Sequence, residues 1–354
     1  MKKITIVAGA RPNFIKVAPL IRAIKNHDDA TYQLVYAGRE DDPTLEASLF
    51  DDLQMNRPDV YLGVDSTSLN EITSRVMAAF DALLDSHPAD VVIVVDDLAS
   101  TMAAAIVTKK RGIRLAHLVA GTRSFDMNMP KEVNRLVIDA LSDYLFTAGI
   151  KSNSVATREQ AEGSNTYMVG NILMDTLRFN YQRFVKPSAL EVNAGGYLVF
   201  TLNRKALLAD EEKLRALLTA IDSATNGTPV IAPLRGRARE LVEQLAPAAS
   251  TIQIVPSLPY LEFGWLTAHA LGIITDSGNV AEEATFNHVP CITLNSYTEH
   301  QETVSVGTNE LVGEDPARLA DAVSRMVRGE WKKSALPDRW DGRTAERIVQ
   351  ILLQ

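Results

Sequence analysis

Two aspartates, Asp96 and Asp97, close the otherwise apolar run "ADVVIVVDD" (89–97). Adjacent carboxylates at the end of a buried strand suit general acid–base work, because proximity and partial burial push carboxylate pKa values upward. The competing account is modest: Asp97 N-caps the helix that starts at "LASTMAAA". Earlier, "AGARPNFIK" (8–16) sets a glycine turn after the first strand, with Arg11 and Lys16 just beyond it. Backbone N–H groups at a helix N-terminus and two cations suit an anion there, while a tight turn with a solvated arginine is the alternative. The chain has no G-x-G-x-x-G dinucleotide loop and no Walker-type G-K-[ST], which weakens NAD and ATP readings.

Two further stretches carry chemistry. "LVAGTRSFDMNMPKEVNR" (118–135) crowds Arg123, Asp126, Lys131, Glu132, Asn134 and Arg135 between a strand and a helix. A long polar loop after a buried strand is more often functional than not, and these side chains can line a cleft. Glu132 and Arg135 are three apart, so an ion pair on one helix face is the plain alternative. "ITDSGNVAEEA" (274–284) is the most specific motif. Ser277, Gly278 and the free N–H groups of a strand-to-helix turn can take a diphosphate. Glu283, about two turns along that helix, can accept both hydroxyls of a ribose; a capped helix with an acidic face is the alternative.

These residues need a scaffold, and the apolar patterning supplies one. Runs at 4–9, 32–38, 89–97, 113–121, 144–149 and 165–170 predict buried strands, and a second set lies at 195–202, 228–234, 251–257, 271–278 and 290–296. Helical-period segments separate them, such as "FIKVAPLIRAIKNH" with Phe14, Val17, Ile21 and Ile24 on one face. The alternation predicts an α/β fold of two Rossmann-like, doubly wound parallel-sheet domains. The expected domains are 1–172, with a last helix 342–354 that packs back on it, and 173–341; residues 183–196 are the most linker-like stretch. In such sheets ligands bind beyond the carboxyl ends of the strands, so the cleft between two such domains is the expected site.

The 354 residues are 46% hydrophobic and 23% charged, an ordinary globular profile. A net charge of −8 argues against a nucleic-acid partner that needs a basic patch. The single cysteine, Cys291, allows no disulfide framework, and the six histidines show no metal-ligand spacing. Nothing reads as a signal peptide or a bilayer span, so a cytoplasmic protein with no membrane partner is expected.

Taken in order, the motifs resemble those of the non-hydrolysing UDP-N-acetylglucosamine 2-epimerases, over nearly the whole chain. "GARPNFIKVAPL" matches the family's G-T-R-P-E-x-I-K-x-A-P-L, "TYMVGNILMDTL" its V-T-G-N-T-x-x-D-x-L, and "GIITDSGNVAEEATFNHVP" its T-D-S-G-G-x-Q-E-E-A-x-x-x-x-x-P. The resemblance implies two Rossmann-like domains facing each other in the GT-B arrangement, a UDP-sugar ligand, no cofactor or metal, and a homodimer. It implies that Ser277, Gly278 and Glu283 hold UDP and that Arg11 and Lys16 contact phosphate or sugar. The aspartate of H-G-D-T maps onto Asp97, and the P-E-E-x-N-R stretch onto Glu132, Asn134 and Arg135. With Arg123, Asn203, Arg204 and Arg235 these make the expected ligand-binding set; Asp97, Asp126 and Glu132 make the expected catalytic set.

The chain also departs from the pattern. Val119 stands for the glutamate of V-E-A-G, Lys131 for the first glutamate of P-E-E, Asn203 for the histidine of T-x-H-R, and His300 for the arginine of T-E-R-P-E. "AGRED", with Arg39 and Glu40, replaces a T-G-Q-H loop. The family reaction eliminates UDP to a 2-acetamidoglucal and adds it back with the C2 proton returned to the opposite face, which requires placed carboxylates. Three functions follow: a 2-epimerase whose acid–base set is rebuilt from Asp97, Asp126, Glu132 or Glu299, a silent UDP-sugar binder, and a GT-B glycosyltransferase.

Overall fold

β-Branched runs with no polar alternation need cover on both faces, and they form the middle strands of two parallel sheets in the computed structural model, which describes residues 1–354. In the first, β1 (Lys2–Ala8), β2 (Ala30–Tyr36), β3 (Val60–Tyr61), β4 (Val91–Val95), β5 (Arg114–Leu118), β6 (Tyr144–Thr147) and β7 (Asn165–Met168) lie in the order β3-β2-β1-β4-β5-β6-β7. In the second, β8 (Leu198–Phe200), β9 (Val230–Pro233), β10 (Ile252–Val255), β11 (Gly272–Thr275), β12 (Cys291–Thr293) and β13 (Asn309–Leu311) run β10-β9-β8-β11-β12-β13. All pairings are parallel. Each order reverses once, between β1 and β4 and between β8 and β11, and the strand ends at a reversal are where such folds bind ligands.

The five residues of β4, "VVIVV", are all buried, and the helix Arg11–Ile24 buries Phe14, Val17, Ile21 and Ile24 as its spacing predicts. The edge strands β3 and β13 were absent from the sequence expectations, since two or three residues carry no readable period. Two expected strands end early for one reason. β4 stops at Val95 and β5 at Leu118 because Asp96 (φ +60°) and Val119 (φ +73°) enter the left-handed region.

The chain divides into Met1–Phe179 with Asp338–Gln354, and Asn180–Pro337. Both junctions differ from the 172/173 and 341/342 expected from composition. The helix Ile172–Asn180 explains the first: Thr176 Oγ1 donates to Ile15 O at 2.6 Å, and the Arg22 guanidinium lies 3.8 Å from the Phe179 ring centre. Trp340 Nε1 donates to Ala148 O at 3.0 Å, bringing the chain back before residue 342. The helix Thr344–Leu353 then buries Ala345, Ile348, Val349 and Leu352. Its first N–H groups, on Thr344 and Ala345, donate to the Asp175 carboxylate at 3.0 and 2.8 Å, a cap supplied from 170 residues away. Burial pushes the Asp175 carboxyl up to about 6.

Candidate functional site

The left-handed turn at Asp96 sends the two adjacent carboxylates to different partners. Asp96 accepts from Lys16 Nζ at 2.6 Å and Asn13 Nδ2 at 2.7 Å. Asn13 Oδ1 in turn accepts from the N–H groups of Gly9 and Ala10. Asp97 receives Arg135 Nη2 at 2.6 Å and Nε at 2.8 Å on one oxygen, with Lys131 Nζ 3.6 Å from the other. The Asp97 carbonyl accepts from Asn134 Nδ2 at 2.8 Å. The raised pKa expected for this pair does not hold at Asp97: burial raises it, but Lys131 and Arg135 outweigh burial and hold the carboxyl below its usual range. Asp97 is not a helix cap either; Leu98 is the N-cap residue, and its N–H donates to Thr101 Oγ1. Arg11 opens its helix and reaches Glu46 at 3.2 Å.

The polar loop is a folded wall. Glu132 is 1% exposed and accepts from Ser124 N, Ser124 Oγ, Phe125 N and Arg135 Nη1. Burial raises its pKa, but those backbone donors and Arg135 bring it below the usual range. This carboxylate therefore ties the loop to Arg135, which works against the role expected of it as a free acid or base. Asp126 is exposed in an Asx turn, its Oδ1 accepting from Asn128 N at 3.0 Å. Phe125, Met127 and Val133 are exposed beside it.

Arg123 lines no ligand surface. Its side chain is 2% exposed and pairs with Asp139 at 2.7 Å and Glu159 at 3.0 Å. Asp139 also pairs with His117 Nδ1 at 2.5 Å, and the other ring nitrogen of His117 meets Asp96 O at 3.0 Å. This buried network props the Asp96 peptide from beneath the strand ends. Sequence inspection missed His117, Asp139 and Asp96 as a set, because the contacts join residues 21 and 22 apart. The only clue was a histidine inside the apolar run "IRLAHLVAG". Gly121 is fixed by geometry: it sits at φ +75°, and a Cβ there would fall 2.1 Å from Ser152 O.

The second unit repeats the arrangement with different electrostatics. At the end of β11, Asp276 accepts from the N–H groups of Asn203 and Arg204 at 2.7 and 2.5 Å, joining the ends of β8 and β11. Burial nonetheless raises its pKa. Ser277 N-caps the helix Gly278–Phe286, its hydroxyl accepting from Val280 N at 3.5 Å. A Cβ on Gly278 would lie 2.5 Å from the His300 ring, so only glycine leaves room for that ring at the helix start. His300 Nδ1 meets Glu282 at 2.7 Å. Glu283 is 7% exposed, and no hydrogen bond or ion pair from the chain reaches its carboxylate. Burial, with Glu282 beside it, pushes the carboxyl up to about 8. Arg204 pairs with Glu314 and donates to Asn295. Asn203 and Arg235 are exposed, Arg235 at the N-cap of the helix Gly236–Leu245.

In the first unit a cavity of about 470 Å³ opens beyond β1, β2 and β4, lined by Gly9, Tyr36, Arg39, Asp42, Asp65 and Ser100 among others. The diverged loop thus forms part of a concave surface, with Arg39 bound to Asp41 and Asp65. No helix is long and apolar enough to cross a membrane.

Comparison with known proteins agrees with this geometry. The family model described as UDP-N-acetylglucosamine 2-epimerase matches residues 22–353. A UDP-N-acetylglucosamine 2-epimerase of Methanocaldococcus jannaschii is 31% identical over 99% of this chain and 98% of its own. A UDP-2,3-diacetamido-2,3-dideoxy-D-glucuronate 2-epimerase of Pseudomonas aeruginosa is 32% identical over 99% of both. The crystal structure of the M. jannaschii UDP-GlcNAc 2-epimerase in complex with UDP-GlcNAc and UDP superposes with a TM-score of 0.86, at 31% identity over 99% of each chain.

Proposed function

Because the chain belongs to the UDP-N-acetylglucosamine 2-epimerase family, we propose that it binds a UDP-2-acetamido sugar and interconverts it with its C2 epimer. The observation that carries this reading is Glu283, a buried carboxylate without a protein partner, on the helix that starts at Ser277–Gly278. An unpaired buried carboxylate is costly unless a ligand completes it. Two ribose hydroxyls complete it, and the helix start takes the diphosphate.

In the forward step a base removes the C2 proton, and the C2–H electron pair becomes a C1–C2 double bond. The C1–O bond breaks, and UDP leaves with that pair. In readdition UDP returns to C1 on the face it left, the C1–C2 double bond is spent, and a proton is delivered to the opposite face of C2. Asp97 is assigned to the C2 proton, because its second oxygen has only Lys131, at 3.6 Å. Asp126 is the exposed carboxylate assigned to the other face. Glu132 acts by holding Arg135 against Asp97. Arg204 and Arg235 supply cations for the diphosphate. The reading carries with it a cytoplasmic homodimer, checked by light scattering.

The electrostatics of the first unit also support a second reading, a UDP-sugar binder without turnover: Asp97 and Glu132 both lie below the usual carboxylate range, and Val119 offers no proton. Proton NMR of UDP-GlcNAc in D2O decides between them. Loss of the C2 proton signal with appearance of the manno epimer supports the epimerase, with Asp97→Asn then slowing turnover ~10²–10⁴-fold. An unchanged spectrum with a bound uridine signal in saturation transfer leaves the binder.

A further inference from the structure

The glycine turn after β1 has the parts of an anion site, and the protein satisfies them itself, the amides with Asn13 and the cation Lys16 with a carboxylate. Lys16 is 6% exposed, at a depth where an ammonium group requires a counter-charge. Asp96 supplies it, and the same carboxylate takes Asn13 Nδ2. The remaining turn donors, Gly9 N and Ala10 N, are taken by Asn13 Oδ1 at 2.9 and 3.2 Å. The Asp96 carboxylate thus holds Lys16 and Asn13 Nδ2, and Asn13 Oδ1 carries the link on to the turn amides.

The backbone shows what delivers it. Asp96 is at φ +60°, where glycine is the usual residue and aspartate is tolerated. The H-G-D-T pattern has glycine at this position. That left-handed turn is what lets Asp96 face Lys16 while its neighbour Asp97 faces Arg135. His117, bound to Asp139, meets the Asp96 carbonyl at 3.0 Å and holds the peptide in place.

We propose that Asp96 is a specificity-determining residue that occupies the anion-binding turn of the first unit and excludes a phosphate or carboxylate of a ligand from Lys16. A ligand anion brought to this turn must displace a buried ion pair and meets a like charge. The ligand's formal charges are therefore left to other groups, and only uncharged parts of a ligand are accepted at this turn. The inference goes beyond the epimerase reading and does not depend on it, because it concerns any anion.

The test uses the full chain and inorganic pyrophosphate, which has neither uridine nor sugar. Asp96→Gly suits the left-handed backbone, and Asp96→Asn keeps the side-chain shape; circular dichroism melting identifies the folded variants. Titration calorimetry is expected to show pyrophosphate binding at least ~10-fold tighter in the folded variant than in the wild type, since one opposing buried charge is gone. Adding Lys16→Met to the same background is expected to return the affinity to the wild-type value. A folded variant with wild-type affinity overturns the proposal. A gain that survives Lys16→Met also overturns it, because it then arises from net charge and not from this turn.

Discussion

Both units hold carboxylates at their strand ends and in the helices that follow, and the chain supplies partners to those of the first unit and to Asp276 of the second but not to Glu283. In the first unit Asp96, Asp97 and Glu132 are each met by cations or backbone donors from the chain itself. Asp97 and Glu132 end below the usual carboxylate range. In the second unit Glu283 has burial and a neighbouring carboxylate, no donor, and a pKa near 8. A carboxylate that its own protein has already solvated contributes to the fold, and of Asp97 only the oxygen 3.6 Å from Lys131 is left over. One that is buried and left without donors is costly unless a ligand supplies them. Fold similarity alone would have assigned both sets the same job; the hydrogen-bond partners separate them.

The largest expected effect breaks the first half of that contrast. Glu132→Ala strands Arg135 and the N–H groups of Ser124 and Phe125, and is expected to cost about 3–5 kcal/mol of stability in urea unfolding. A loss under 1 kcal/mol would mean that water replaces the carboxylate and the loop is not tied by it.

Next comes the pH dependence of stability through Glu283. Its folded pKa is raised above the usual 4.5 to about 8. Its contribution is therefore complete below pH 4.5 and is lost as pH rises through 8. Glu283→Gln removes that slope, so the variant should gain on the wild type by a few kcal/mol (order of magnitude) between pH 5 and pH 8.5. Melting curves at the two pH values check it, and an equal gap at both counts against an unpaired carboxylate.

Smaller again is the ligand effect. Near neutral pH a carboxyl raised to about 8 is mostly protonated, so Glu283→Ala removes two neutral hydrogen bonds, worth about 0.5–1.5 kcal/mol each. UDP affinity should fall ~10-fold by calorimetry, with the fold intact. Unchanged affinity would take the ribose away from Glu283. Smallest is Ser277→Ala. A hydrogen bond of 3.5 Å makes a weak cap, so about 0.5 kcal/mol of stability is expected, the low end for an N-cap. A UDP affinity lowered severalfold would show the hydroxyl acting on the ligand rather than on the helix.

Much of this was legible from residue order. The two doubly wound sheets follow from runs such as "VVIVVDD" and "GIITDSG", because strands covered on both faces must be apolar throughout and their ends must be polar. The Ser277–Gly278 turn and Glu283 were legible for the same reason: a strand-to-helix turn and a residue two turns on are local spacings. The edge strands β3 and β13 were not, being too short to have a period. Arg123 was expected to bind ligand and Glu132 to act in catalysis, and only the folded chain brings them to Asp139, Glu159, Ser124 and Phe125.

By itself, then, the sequence determined the fold class, the family and where the chain turns, since these depend on hydrophobic period and on residues within a few positions of each other. Only the tertiary structure decided which ionisable groups are left for a ligand. Lys16 and Asp96 are 80 residues apart, and Arg135 and Asp97 are 38 apart. The state of a carboxylate is set by burial and by donors within about 3 Å, and that neighbourhood exists only once the strands have been brought side by side.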